Sequence, residues 1–141
     1  AREAIRTIDQ LCADYGYASS GETFAIADKQ EAWVMELIGK GPNGKGIVWV
    51  AARVPEGYIS ASANMSRITT FPLDQPDRWL YAKDVIEFAT QRGYYDPQSG
   101  QPFSFRDAYH PNPTPRKKRA CATRIWSICR RPKARSCWVS M

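Results

Sequence analysis

Residues 21–53 have the sequence GETFAIADKQEAWVMELIGKGPNGKGIVWVAAR, in which three apolar runs alternate with two turn-like segments. The first run places Phe24 and Ile26 on one face. The second run is apolar on both faces, with Glu36 as the exception, and this pattern is typical of a strand inside a covered sheet. Alternating β-type runs and turn residues predict antiparallel hairpins between residues 21 and 63.

The second connection, GKGPNGKG at residues 39–46, contains four glycines and two lysines. A phosphate-binding P-loop needs Gly-Lys-Ser/Thr at the start of a helix, whereas Gly46 is followed by the β-type run IVWV. We therefore predict a hairpin turn at this segment rather than a nucleotide site. Trp33 and Trp49, which lie in the flanking runs, are expected to be mostly buried.

The next segment, GYISASAN at residues 57–64, predicts a fourth strand with small polar groups on one face. FPLDQPDR, residues 71–78, is expected to be a loop. Three helices are predicted around the strands: residues 2–15 ended by Gly16, a segment around residues 84–92 ended by Gly93, and a short helix opened by the capping pattern at residues 104–107. The first helix has an apolar stripe formed by Ile5, Ile8, Cys12 and Tyr15. These elements together predict an α+β fold.

Charge is distributed unevenly along the 141 residues, whose 43% hydrophobic and 24% charged residues are typical of one globular domain. Residues 111–141 contain nine of the 20 bases and none of the 14 acids, so residues 1–110 carry three more acids than bases. A basic C-terminal stretch is typical of a solvated tail or of a surface that contacts an acidic segment elsewhere in the protein. Nucleic-acid binding through residues 116–135 is the less favoured alternative. The longest apolar run, residues 47–52, is too short to cross a membrane.

The pattern divides the chain into four parts. Residues 1–110 hold the first helix and the strands, and residues 111–118 form a Pro-rich basic connection. Residues 119–131 predict an amphipathic helix, and residues 132–141 an irregular tail.

The four cysteines contain no CxxC pair, and the single histidine, His110, has no partner at a ligand spacing. We therefore expect no metal site and no cofactor, and no Ser/His/Asp or Cys/His catalytic set within this sequence. Cys12 is expected to be a buried, unreactive thiol because it belongs to the helical stripe.

Several segments resemble the bacterial cysteine-type dipeptidases, the family related to dipeptidase A of lactobacilli and to the secernins. They are YGYASSGE at residues 15–22, EAWVMELIGKGP at residues 31–42, VWVAARVPEGYISASAN at residues 48–64, RGYYDPQSGQPFSFRDAY at residues 92–109 and ATRIWSI at residues 122–128. The resemblance extends over roughly residues 10–129 and lapses from Arg130.

The resemblance implies an N-terminal nucleophile hydrolase: a four-layer sandwich of two antiparallel sheets with helices on both outer faces. In such enzymes an N-terminal cysteine attacks the peptide carbonyl and its own α-amino group is the base. Residue 1 here is Ala, and no cysteine lies near it. We therefore expect an interior fragment, inactive alone, of a dipeptidase whose nucleophile lies outside this sequence.

The same resemblance implies three site residues. Asn64 is the candidate catalytic residue, as an amide donor to the oxyanion, and an ordinary turn asparagine is its alternative. Arg67 and Arg124 are the candidate substrate-binding residues. The Arg124 guanidinium could bind the substrate carboxylate in bidentate fashion, or it could be one surface arginine among the basic residues.

The implied partners are a dipeptide substrate and the remainder of the parent chain, with no membrane, and a homo-oligomer is possible. The compartment is unknown, with the cytoplasm slightly favoured. A second class of function stays open, a non-enzymatic binding or regulatory domain that kept the fold, because fold alone does not fix function.

Overall fold

The computed structural model describes residues 1–42, 44–62 and 66–110. The predicted helix 119–131, the connection 111–118 and the tail 132–141 lie outside the described residues. In chain order the structure contains α1 (Arg2–Tyr15), β1 (Gly21–Ala27), β2 (Ala32–Gly39), β3 (Ile47–Arg53), β4 (Trp79–Tyr81), α2 (Val85–Gln91) and α3 (Phe105–Tyr109), with a 3₁₀ turn at Pro97–Ser99 before α3.

The four strands form one antiparallel sheet in the order β1-β2-β3-β4. Together with the helices, this sheet confirms the α+β class. The two predicted hairpins are also confirmed, because β1 pairs with β2 and β2 pairs with β3 through their full lengths. Trp33 and Trp49 are 1% and 5% exposed, as the sequence predicts.

Both faces of the two central strands are covered. The guanidinium of Arg2 in α1 lies 4.8 Å from the ring centroid of Trp33, so α1 packs on the face that carries this side chain. Successive side chains of a strand point to opposite faces, so Glu36 points away from the face that carries Trp33 and Met35. On its own face Glu36 contacts residues 66–68. Two-sided coverage explains why β2 and β3 are apolar on both faces.

The helix boundaries follow local signals in the sequence. Gly16 ends α1 with φ of +85°. Gly93 follows α2 with φ of +70°, and the N–H groups of Gly93 and Tyr94 donate to the carbonyls of Thr90 and Ala89 in a Schellman cap. The Ser104 hydroxyl caps α3 by accepting from the Asp107 N–H.

Three predictions are wrong in detail. The described part of residues 57–64 has only an isolated bridge residue, Ile59, and the fourth strand is β4. Tyr15 is 84% exposed because it lies in the last turn of α1, so the apolar stripe ends one turn earlier than predicted. Cys12 is partly rather than fully buried.

Candidate functional site

A cavity of about 290 Å³ opens on the Glu36 face of the sheet, between β1, β2 and α3. Its wall combines polar and apolar groups. The polar residues that line it include Ser20, Thr23, Glu36, Ser66, Tyr109 and His110, and the apolar ones are Leu37, Ile38 and Phe105. A concave site with a few convergent polar groups is the usual form of a ligand site.

Glu36 is the buried acid of this cavity, and its side chain is 2% exposed. The Ser66 hydroxyl donates to Oε2 at 2.7 Å, and the Arg67 N–H donates to Oε1 at 2.8 Å. The Ile68 N–H lies 3.3 Å from Oε1 and 3.2 Å from Oε2. One carboxylate therefore accepts from three consecutive residues of a segment that has no regular secondary structure.

Burial raises the pKa of Glu36 above its ordinary value of 4.5. The hydrogen bonds from Ser66, Arg67 and Ile68 and the positive charge of Arg67 act in the opposite direction. Loss of water outweighs these stabilising contacts because the carboxylate lies in the interior of the fold.

The segment that contacts Glu36 is also bonded to α3. The Arg106 N–H donates to the Ile68 carbonyl at 2.8 Å, and the Phe105 N–H donates to the Thr69 carbonyl at 3.0 Å. Ile68 thus contacts Glu36 through its N–H and α3 through its carbonyl. This arrangement connects β2, residues 66–69 and α3 in one hydrogen-bond path.

Aromatic side chains close the α3 side of the cavity. The Tyr109 hydroxyl donates to the Val85 carbonyl, and the rings of Phe105 and Tyr109 are 5.0 Å apart. Burial, followed by the negative charge of Asp84, raises the pKa of Tyr109. This hydroxyl therefore acts as a hydrogen-bond donor rather than as a base at ordinary pH.

The structure describes one of the three predicted site residues. Arg67 is half-buried, and its backbone contacts Glu36 next to Ser66, while its side chain is not among the groups that line the cavity. Asn64 and Arg124 lie outside the described residues. The roles of all three remain predictions.

Cys12 is the one cysteine within the described ranges. Burial and, to a smaller extent, the negative charge of Asp9 raise the pKa of its thiol. Because the thiolate is the nucleophilic form, this environment disfavours a catalytic role for Cys12.

Within the described ranges, no group of three or more His, Cys, Asp or Glu side chains could hold a metal ion. The described helices also include none with the length and apolar character needed to span a membrane.

Comparison with known proteins decides the family. The sequence model described as Peptidase family C69 matches residues 1–136. The chain belongs to this peptidase family. This match continues past Arg130, although the resemblance is expected to lapse from that residue onward.

Curated relatives of this peptidase family carry dipeptidase names. The chain is 29% identical over 111 residues to a probable dipeptidase of Salmonella dublin, covering 77% of the chain and 23% of that relative. It is 26% identical over 121 residues to dipeptidase A of Lactobacillus helveticus, covering 80% of the chain and 24% of that relative.

A third relative is a probable dipeptidase A of Streptococcus pyogenes serotype M1, 32% identical over 89 residues, with 62% of the chain and 17% of the relative covered. The chain therefore spans about a quarter or less of the length of these relatives. No solved structure matches the chain.

Sequence reasoning did not assign Glu36, Ser66 or Tyr109 to a site. The signal available for Glu36 was its position as the exception in an otherwise apolar run. No comparable signal marks Ser66, because its partner is 30 residues away in the sequence.

Proposed function

We propose that this chain is part of a dipeptidase that hydrolyses dipeptides through a cysteine thiol. The observation that carries the proposal is membership of a peptidase family, matched over residues 1–136. The dipeptidase names of the curated relatives support the same substrate class.

In the proposed reaction, an N-terminal cysteine attacks the peptide carbonyl carbon, and its α-amino group accepts the thiol proton. That proton passes to the amine that leaves, and a thioester to the first amino acid forms. Water then attacks the thioester, which releases the first amino acid and restores the thiol. Nothing in this sequence of steps needs a histidine.

We place the nucleophile outside these 141 residues. Two observations support this location: the partial burial of Cys12 in α1 and the greater length of the curated relatives. The remainder of the protein is thus the proposed partner that completes the site.

The proposed architecture of the whole protein is the four-layer sandwich of N-terminal nucleophile hydrolases. The described antiparallel sheet, with α1 on one face, would be part of one of its two sheets. Residues 1–110 would belong to this sandwich, with a Pro-rich connection at 111–118, a helix at 119–131 and a tail at 132–141.

Asn64 is proposed to donate its side-chain amide to the oxyanion, because an amide stabilises negative charge without titrating. Arg67 and Arg124 are proposed to bind the substrate carboxylate. For Arg67 the supporting observation is that it directly follows Ser66, which lines the cavity, and that its N–H donates to Glu36.

Hydrolysis of dipeptides by the full-length protein, with and without a thiol-alkylating reagent, tests the proposal. We expect alkylation to abolish turnover in the wild type and equally in Cys12→Ser, and we expect the purified 141-residue chain to be inactive. Robust turnover by the 141-residue chain would contradict an external nucleophile. Turnover that survives alkylation would exclude a thiol enzyme.

The residue roles are tested by kinetics of the same protein. Asn64→Ala should lower kcat by on the order of 10² to 10³ with KM little changed. Arg124→Lys should raise KM, because a lysine cannot form the bidentate contact, and Arg116→Lys is the matched control. Equal effects at 116 and 124 would remove Arg124 from the site.

A further inference from the structure

The carboxylate of Glu36 is placed where a purely structural role would favour an apolar residue. Its neighbours on the same face of β2 are Val34 and Ile38, and the side chain is 2% exposed. Burying a charged group is costly unless its hydrogen-bonding capacity is satisfied. Here both oxygens accept hydrogen bonds, and within the described part of the chain the donors belong to residues 66–68.

Two of these donors are consecutive backbone N–H groups, those of Arg67 and Ile68. A single acceptor that binds two successive N–H groups restricts the dihedral angles between them. The Ser66 hydroxyl adds a third contact at 2.7 Å. Residues 66–68 are therefore held in one backbone conformation by a side chain from another element.

The opposite side of the segment is fixed as well, because the Ile68 carbonyl accepts from the Arg106 N–H at 2.8 Å. An apolar side chain at position 36 would leave the Arg67 and Ile68 N–H groups without their acceptor, which is destabilising for buried donors. Glu36 thus determines where residues 66–68 lie relative to the sheet and to the cavity.

We propose that Glu36 is a positioning residue of the hydrolase site: it fixes the backbone of residues 66–68 and, through it, the location of Arg67. The inference rests on the proposed function, since it assigns Arg67 to the substrate. A displacement of about 1 Å at such a contact can cost on the order of 100-fold in rate. Glu36 itself need not contact the substrate.

Amide hydrogen exchange of the full-length protein tests the positioning without an activity assay. We expect Glu36→Gln to accelerate exchange of the Arg67 and Ile68 amides by about tenfold or more, because a carboxylate with two accepting oxygens is replaced by one neutral amide oxygen and an NH2 group that cannot accept. Ser66→Ala, which removes one donor only, should give a smaller acceleration at the same amides. Glu87→Gln removes an exposed acid of α2 and should change neither. Unchanged exchange in Glu36→Gln would overturn the proposal.

A double-mutant cycle on dipeptide hydrolysis tests the connection to Arg67. Glu36→Gln should lower kcat/KM by about tenfold or more in the wild-type background and have little further effect when Arg67→Ala is present. Equal losses in both backgrounds would show that Glu36 acts independently of Arg67, and an unchanged kcat/KM in Arg67→Ala would remove the substrate role. Either result would overturn the proposal.

The two measurements separate this inference from the proposed function. A wild-type protein that does not cleave dipeptides would refute the dipeptidase assignment and with it the substrate role of Arg67. Exchange at Arg67 and Ile68 would then still decide whether Glu36 fixes the segment.

Discussion

Glu36 shows how one residue can combine an unfavourable environment with a defined structural role. The carboxylate is buried among apolar neighbours, and its pKa is raised for that reason. The three donors that the structure describes come from residues 66–68, so these hydrogen bonds exist only when that segment is docked. The contribution of this residue to stability should consequently depend on pH.

We expect the stability contributed by Glu36 to decrease as pH rises. A folded-state pKa above 4.5 means that the folded protein binds the proton more tightly than the unfolded chain. The contribution is therefore complete below pH of about 4.5 and is lost as pH rises through the folded-state pKa. Urea unfolding of wild type and Glu36→Gln between about pH 4 and pH 8 measures it.

The wild type should exceed Glu36→Gln in unfolding free energy by the largest margin at the acidic end of this pH range. Glu87→Gln, the same change at an exposed acid of α2, is the matched control. If the margin between wild type and Glu36→Gln grows towards neutral pH, the raised pKa of Glu36 is contradicted.

At the scale of elements, the apolar stripe of α1 shows which part of a predicted helix face forms the core. Ile5 is fully buried against the sheet, Ile8 and Cys12 are partly buried, and Leu11 is 49% exposed. The helix therefore contacts the core mainly through its first two turns.

Ile5→Ala should destabilise the protein by about 3 kcal/mol, because it removes buried methyl groups and leaves a cavity between α1 and the sheet. Leu11→Ala on the same helix should cost less than about 1 kcal/mol, since the side chain is half-exposed. Urea unfolding of both variants provides the comparison. Equal losses would show that α1 is not anchored through Ile5.

The end of α2 is fixed by Gly93, whose φ is +70°. Gly93→Ala should lower the unfolding free energy by about 1 kcal/mol, because an alanine is strained in the left-handed region. Gly93→Asn should cost less, since asparagine tolerates this conformation better. Thermal unfolding of the two variants compares them, and a larger loss for Asn than for Ala would contradict the cap.

The sequence predicts elements well where the signal is local. The hairpins β1–β2 and β2–β3 follow from alternating runs separated by short turns, and the structure confirms them. The fourth strand could not be placed, because β4 has three residues and owes its structure to pairing with residues 50–52. Residues 57–62, which have strand-like composition, form only the isolated bridge at Ile59.

For the molecule as a whole, the family could be predicted from the order of its segments, whereas the cavity could not. The polar wall depends on contacts such as that between Glu36 and Ser66, which are 30 residues apart. The sequence pattern of each partner alone carries no information on the pairing. The assignments of Asn64 and Arg124 depend on the resemblance and lie outside the described residues.

The isolated 141-residue chain is expected to self-associate. β1 is an edge strand of seven residues in the described sheet, and its Phe24 is 38% exposed. An exposed edge with an apolar side chain favours pairing with another chain. Sedimentation of the purified chain over a range of concentrations measures this tendency.

Phe24→Lys should reduce self-association by placing a charge on the edge strand. Leu73→Lys, which changes an exposed residue of a loop, is the control and should have little effect. A wild-type chain that stays monomeric at all concentrations would contradict the expectation.

The bond between Glu36 and Ile68 also has a consequence for the order of folding. The hairpins join residues close in the chain, whereas this contact closes a loop of 32 residues. Short loops close at lower entropic cost, so we expect the β1–β3 meander to form first and residues 66–69 to dock onto it with α3. Until docking, the carboxylate remains hydrated. We expect the reverse step, release of the segment and α3 from an intact sheet, to open the cavity at a lower free energy than global unfolding.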